Sequence, residues 1–288
     1  MIKKINDCDL YYEIHGDATS EEAIFFIHGG PGLGDCRGDV QTFSDFAPAY
    51  QKVFLDMRGS GRSGDVQPFS HEQWIQDIDS LRQELGFQKI ILHGTSYGGF
   101  IVQEYALKFP ENTQSVVLNV TAPDNRHHFA AIENAVNSDK TKIGPEDLVR
   151  LFEGKVESDE DFKYLYDGIV SLYTINQNIE EQQEKVNQIY YHFETHNAAF
   201  NTCLIDFDLK EQLSKISTPA LVTAGKRDWI IPPEYSKLIA DRILNSTYIV
   251  FENYGHALVR EQSEVYKEYL LNFIEGKLSD KEIRENIA

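Results

Sequence analysis

Four short apolar runs constrain this chain more than anything else in it: "AIFFIH" (23–28), "KVFLDM" (52–57), "KIILHG" (89–94) and "SVVLNV" (115–120). They are rich in β-branched and aromatic residues and lack the polar alternation of a strand with one wet face. That pattern belongs to strands of a parallel sheet covered on both sides. The segment between the second and third runs reads as a helix. Ser70 opens "SHEQWIQDIDSLRQELG" with Gln73 at capping-box spacing, Trp74, Ile78, Leu81 and Leu85 share one face, and Gly86 stops it. Alternating strand and helix predicts an α/β fold, a mostly parallel central sheet flanked by helices.

The alternation breaks after Val120 and resumes with "PALVTAG" (219–225), a helix from "PPEYSKLIADRIL", the strand "STYIVF" (246–251) and a last helix from "EQSEVYKEYLLNFIEG". Between them lies a polar, helical block holding 18 acids and 8 bases. It is an insertion into the core, not a tail. The expected organisation is a core of residues 1–121 and 214–288 with a helical cap at 122–213.

With 27 basic and 46 acidic side chains the formal charge is −19, which disfavours nucleic acid or an anionic membrane as a partner. The start, "MIKKINDCDLYYEI", has no apolar segment of signal-peptide type, and no apolar run approaches a membrane span. Cys8, Cys36 and Cys203 are odd in number and widely separated, which argues against both a disulfide framework and a zinc site. The expectation is a soluble, cytoplasmic protein, monomer or homo-oligomer, that acts on a small molecule or short peptide.

Chemistry enters at "GTSYGG" (94–99), which sits between the strand "KIILH" and the helix "FIVQEYALKF". It holds G-x-S-x-G in strand–turn–helix context, where the serine is carried on a strained turn with its hydroxyl exposed above the sheet. Glycines two before and two after Ser96 let strand and helix approach. A serine hydroxyl needs a base, and the base an orienting acid. In chain order Ser–Asp–His, Asp228 follows the strand "PALVTAG" and His256 follows "STYIVF". Both positions lie outside the carboxyl ends of strands, where sites collect in open α/β sheets.

Acyl transfer by Ser96 creates an oxyanion, and donors must already point at it. The glycine-rich "HGGPGLG" (28–34) supplies bare backbone for that purpose. Gly30, with Gly29 possible, is one expected donor, and the N–H of Tyr97 is the other. Two decoys fall away. "GSGRSG" (59–64) fits a dinucleotide fingerprint in spacing, but "DVQPFS" separates it from the next helix, so no helix N-terminus faces it. His192 and His196 have metal-pair spacing on one helical face, but "HFETH" is not "HExxH".

"HGGPG", "DMRGSGRS" (56–63) and "GTSYGG", in that order, resemble the α/β-hydrolase superfamily and, within it, the proline iminopeptidases, serine aminopeptidases that release N-terminal proline. The resemblance covers roughly 1–120 and 215–288. It implies Ser96 as nucleophile, His256 as base, Asp228 as its orienter, donors at Gly30 and Tyr97, and neither metal nor organic cofactor. Several such peptidases place a glutamate just after the triad aspartate to hold the substrate ammonium, where this chain has Trp229. Glu194, Asp206 and Asp208 are then candidate replacements in the cap, with Gly29, Trp229 and Glu194 the expected substrate contacts. The alternative is a carboxylesterase or lactonase with the same triad, in which Trp229 forms an apolar wall.

Overall fold

The computed structural model describes residues 1–175, 178–278 and 283–287, the last as backbone. Residues 176–177, inside the expected cap, and 279–282 and 288, inside the expected core, lie outside the described residues. The strands are β1 (Ile2–Ile5), β2 (Cys8–His15), β3 (Ala23–Ile27), β4 (Gln51–Leu55), β5 (Ile90–Thr95), β6 (Thr113–Asn119), β7 (Ala220–Gly225), β8 (Ser246–Phe251) and β9 (Ile283–Ile287). They form one sheet in the order β1-β2-β4-β3-β5-β6-β7-β8-β9. β1 and β2 pair antiparallel, as do β2 and β4, and the remaining pairs are parallel.

All four apolar runs lie on parallel strands, and β3 is buried along its whole length. The hairpin β1–β2 carries no such run. Its burial alternates and includes Lys3, Lys4 and Asp9, as befits an edge with one face wet. The helices are α1 (Arg37–Phe43), α2 (His71–Glu84), α3 (Tyr97–Lys108), α4 (His127–Val136), α5 (Pro145–Phe152), α6 (Asp159–Asp167), α7 (Ile179–Gln188), α8 (Phe193–Ala198), α9 (Pro233–Arg242), α10 (Leu258–Glu261) and α11 (Ser263–Ile274).

The period-two pleat sorts the strand side chains into two layers. Phe25, Leu55 and Val116 pack with Trp74 and Ile78 of α2, Phe100 of α3 and Ile239 of α9. Their neighbours Phe26, Phe54 and Val117 face the other way, against Phe43 of α1, Leu258 of α10 and Tyr266 of α11. Each fully buried phenylalanine stabilises the fold by about 1.5–3 kcal/mol. At α2 only half the capping box forms. Ser70 Oγ accepts from Gln73 N at 3.2 Å, while the Gln73 side chain donates to Asp77 Oδ1 instead of reaching back.

Helices α4–α8 lie between β6 and β7. Their own apolar cluster joins Leu148, Leu151, Phe152, Phe162 and Leu165, with Trp229 inserted from the loop after β7. An antiparallel bridge between Asp124 and Asp208, and the 2.8 Å bond from Leu209 N to Pro123 O, bring the two ends of the segment together. Among the described residues no helix is long and apolar enough to cross a membrane.

Candidate active site

Ser96 sits between β5 and α3 with φ 56° and ψ −121°, a strained conformation for a residue with a Cβ. The turn is sharp because both flanking glycines are in contact with backbone. A Cβ on Gly94 would stand 2.6 Å from Gly98 O, and one on Gly98 only 2.2 Å from Ile27 O. Tyr97 is pinned beside it, its hydroxyl 2.7 Å from His71 Nε2, with His71 Nδ1 3.1 Å from Glu104 Oε2.

The three predicted triad residues converge across 160 positions of sequence. His256 Nε2 lies 2.9 Å from Ser96 Oγ, and His256 Nδ1 lies 2.7 Å from Asp228 Oδ2. A carboxylate oxygen accepts, so Nδ1 carries the proton and Nε2 presents its lone pair to the serine hydroxyl. Asp228 is held in turn, its Oδ1 accepting from Ile230 N and Ile231 N at 3.0 Å each. Tyr173 caps the His256 ring edge-on at 5.5 Å, and Asp228 and His256 are both buried. A hydroxyl bonded to a neutral imidazole with a buried carboxylate behind it can act as a nucleophile at neutral pH.

The "HGGPG" loop passes directly over Ser96, and a Cβ on Gly29 would stand 2.9 Å from Ser96 Cβ. Gly30 adopts φ +57°, and its carbonyl accepts from Leu33 N and Gly34 N. Among the described residues the N–H groups of Gly30 and Tyr97 have no hydrogen-bond acceptor. His28 sets the loop's entry. Its Nε2 accepts from Met57 N at 3.0 Å, so Nδ1 holds the proton and donates to Gly29 O at 2.8 Å.

The rejected fingerprint "GSGRSG" has a different task, that of supporting this loop. Ser60 Oγ accepts from Gly32 N at 2.9 Å. Asp56, fully buried, accepts from Cys36 N at the loop's far end and from Arg62 N and Nε. These bonds outweigh burial, so the Asp56 carboxyl lies below its usual range. Arg58 makes a two-bond pair with Asp77 at 2.7 and 2.9 Å, both side chains almost wholly buried. His192, just before α8, holds the same loop. His192 N donates to Gly32 O at 2.8 Å, and the His192 ring reaches Gly61 O at 3.2 Å. His192 precedes α8 as its N-cap while His196 lies within it, so the two do not form the shared helical face read from their spacing.

Ser96 opens into a cavity of about 770 Å³ that residues of helices α4–α8 also line. Gly29, Gly30 and Tyr97 line it, as do Phe100, Phe152, Phe162 and Ile230. Two expected contacts are elsewhere. Trp229 turns into the cap's apolar cluster, edge-on to Phe152 at 6.2 Å and Tyr173 at 5.6 Å, and Ile230 and Ile231 take the wall instead. Glu194, in the first turn of α8, is exposed and lies outside the lining, as do the exposed Asp206 and Asp208. The reason is packing: α8 turns Thr195 and His196 inward and leaves Glu194 on the wet side. The carboxylates that do line the cavity are Asp35, Asp39 and Glu264. Asp35 pairs with Arg37 and Glu264 with Lys267. Asp39 makes no hydrogen bond or ion pair among the described residues, and burial, with the Asp35 charge beside it, raises its pKa. His127 and His196 also line the cavity, and no local sequence signal marks either.

Residues 22–261 match the family model of the alpha/beta hydrolase fold, and the chain belongs to that family. The proline iminopeptidase PfmaB of Pestalotiopsis fici is 29% identical, over 94% of this chain and 98% of the relative. A proline iminopeptidase of Saccharolobus solfataricus is 27% identical, over 95% and 91%. Among solved structures, the enol-lactonase of Burkholderia xenovorans LB400 superimposes with a TM-score of 0.77 at 18% identity, covering 96% of this chain and 100% of that one. The protein is a hydrolase of this fold.

Proposed function

We propose that the protein is a serine hydrolase in which Ser96, His256 and Asp228 form the catalytic triad. The observation that carries this is the unbroken hydrogen-bond chain from Ser96 Oγ through His256 to Asp228. Ser96 Oγ attacks the substrate carbonyl carbon as His256 Nε2 takes its proton. The carbonyl oxygen, now anionic, is received by the N–H groups of Gly30 and Tyr97. Asp228 keeps the imidazole in the required tautomer and stabilises the imidazolium. Collapse of the intermediate expels the leaving group, which receives the proton from His256. Water, activated by the same base, then releases the acyl group and restores Ser96.

For the substrate we infer an N-terminal proline aminopeptidase activity on small peptides, supported by the two relatives that bear that name and by the motif order. Cleavage of small esters or lactones is the second reading, supported by the apolar and aromatic side chains of the cavity lining. Among the described lining residues Asp35 and Glu264 are already paired with Arg37 and Lys267, which leaves Asp39 as the carboxylate that a buried ammonium would need. A proline anilide and a short-chain nitrophenyl ester, each with Ser96→Ala as control, separate the readings. Loss of Ser96 lowers kcat by at least roughly 10⁴-fold on whichever substrate is turned over. Serine-dependent anilide cleavage supports the peptidase, ester cleavage alone supports the esterase or lactonase, and full activity in Ser96→Ala overturns both.

A further inference from the structure

Two histidines outside the triad open onto the same cavity. His127 begins α4 and His196 lies in α8; both are 4% exposed and both line the cavity. Their protonation follows from their partners. His127 Nδ1 is 2.9 Å from Asp124 O, and His196 Nε2 is 2.9 Å from Leu151 O. A carbonyl oxygen only accepts, so each of these nitrogens carries the ring proton. Burial pushes both rings down to about 4, so near neutral pH each holds a single proton. That leaves His127 Nε2 and His196 Nδ1 as bare lone pairs with no partner among the described residues.

Both rings are fixed in place. His196 lies between Phe162 and Phe200, with ring centroids 4.4 Å apart on each side. His127 packs on Phe100 at 5.3 Å. The carboxylates of the lining come from α1 and its approach and from α11, none from the elements that bear these histidines. This side of the cavity therefore presents rigid, uncharged acceptors set in aromatic walls. Neither nitrogen is among the fully buried unpartnered polar atoms of the described residues, so each is reachable from the cavity and can accept a hydrogen bond from an occupant.

We infer that His127 and His196 are substrate-binding residues, and that the substrate group seated against the cap carries uncharged hydrogen-bond donors, a hydroxyl or an amide N–H. The inference rests on the serine-hydrolase reading and selects a substrate class within it. Sites built around such bonds discriminate against analogues that lack the donor.

The test is a panel of nitrophenyl esters whose acyl chains carry a hydroxyl at successive carbons, each beside its unsubstituted parent. In the wild type at least one hydroxylated ester exceeds its parent in kcat/KM by roughly tenfold. His127→Asn keeps an amide N–H for Asp124 O and His196→Gln keeps one for Leu151 O, while each removes the bare nitrogen. In these variants the ratio falls toward one. A histidine with a merely structural role would lower both esters together and leave the ratio intact, which overturns the proposal, as does a wild type without any preference. Labelling of Ser96 by a fluorophosphonate keeps the two levels apart. Labelled Ser96 with no donor preference removes the subsite alone, whereas unlabelled Ser96 removes the hydrolase reading and the subsite with it.

Discussion

Gly32→Ala tests whether the cap sets the geometry of the oxyanion donors. Gly32 has φ +71°, and an added Cβ would stand 2.2 Å from His192 O and 3.0 Å from His196 N. Ordinary contact is roughly 3.5 Å or more, so the two backbones must separate by about 1 Å. No side chain can absorb this, because the obstacle is main chain. Gly32 is also tied on both sides, its N–H to Ser60 Oγ at 2.9 Å and its carbonyl to His192 N at 2.8 Å. The displacement therefore passes into the loop that carries Gly30. A misplacement of about 1 Å in a reacting geometry costs on the order of 100-fold, and the left-handed conformation adds about 1–2 kcal/mol for alanine. The expected result is a kcat about 100-fold lower with a smaller change in KM, and a stability loss of about 1–3 kcal/mol by urea unfolding. Gly38→Ala in α1, whose Cβ meets open space, is the matched control and should gain about 0.5–1 kcal/mol. A Gly32→Ala enzyme with kcat within about threefold of wild type would refute the coupling of cap to donor.

Two further predictions concern stability. Burial pushes His127 and His196 down to about 4 and His93 down to about 3, whereas an unfolded histidine titrates near 6.5. Below that value the unfolded chain binds protons that the fold refuses. Stability is thus complete above about pH 6.5 and is lost toward pH 4 at roughly 1.4 kcal/mol per pH unit for each histidine. Urea unfolding at a series of pH values reads this slope, and a flat profile across that window would contradict it. Arg58→Met strands the Asp77 carboxylate, whose side chain is 3% exposed, and should cost about 3–5 kcal/mol. A loss below about 1 kcal/mol would place the pair with surface ion pairs.

Much of the core was legible because its signals are local. Unalternated apolar runs can satisfy both faces only inside a covered sheet, and Gly94 and Gly98 around Ser96 are readable as the close approach they prove to be. The order of Ser96, Asp228 and His256 was readable for the same reason, since each follows a strand end. The hairpin β1–β2 escaped because an edge strand with one wet face has no apolar run to show.

The substrate side was not legible. Trp229 stands beside Asp228 in sequence, yet its ring is drawn into the cap cluster by Phe152 and Tyr173. Glu194 and His196 are two residues apart in one helix, and only the packing of α8 decides that the histidine faces the cavity and the glutamate faces water. Which nitrogen of His196 is bare depends on the Leu151 carbonyl, 45 positions away, that tertiary contact brings to the other. The sequence by itself determined the parallel core strands and the turn that carries Ser96, because strand, turn and helix preferences act over a few residues. Only the tertiary structure decided what lines the cavity and what holds the Gly30 loop, because those partners come from distant segments whose approach is set by packing.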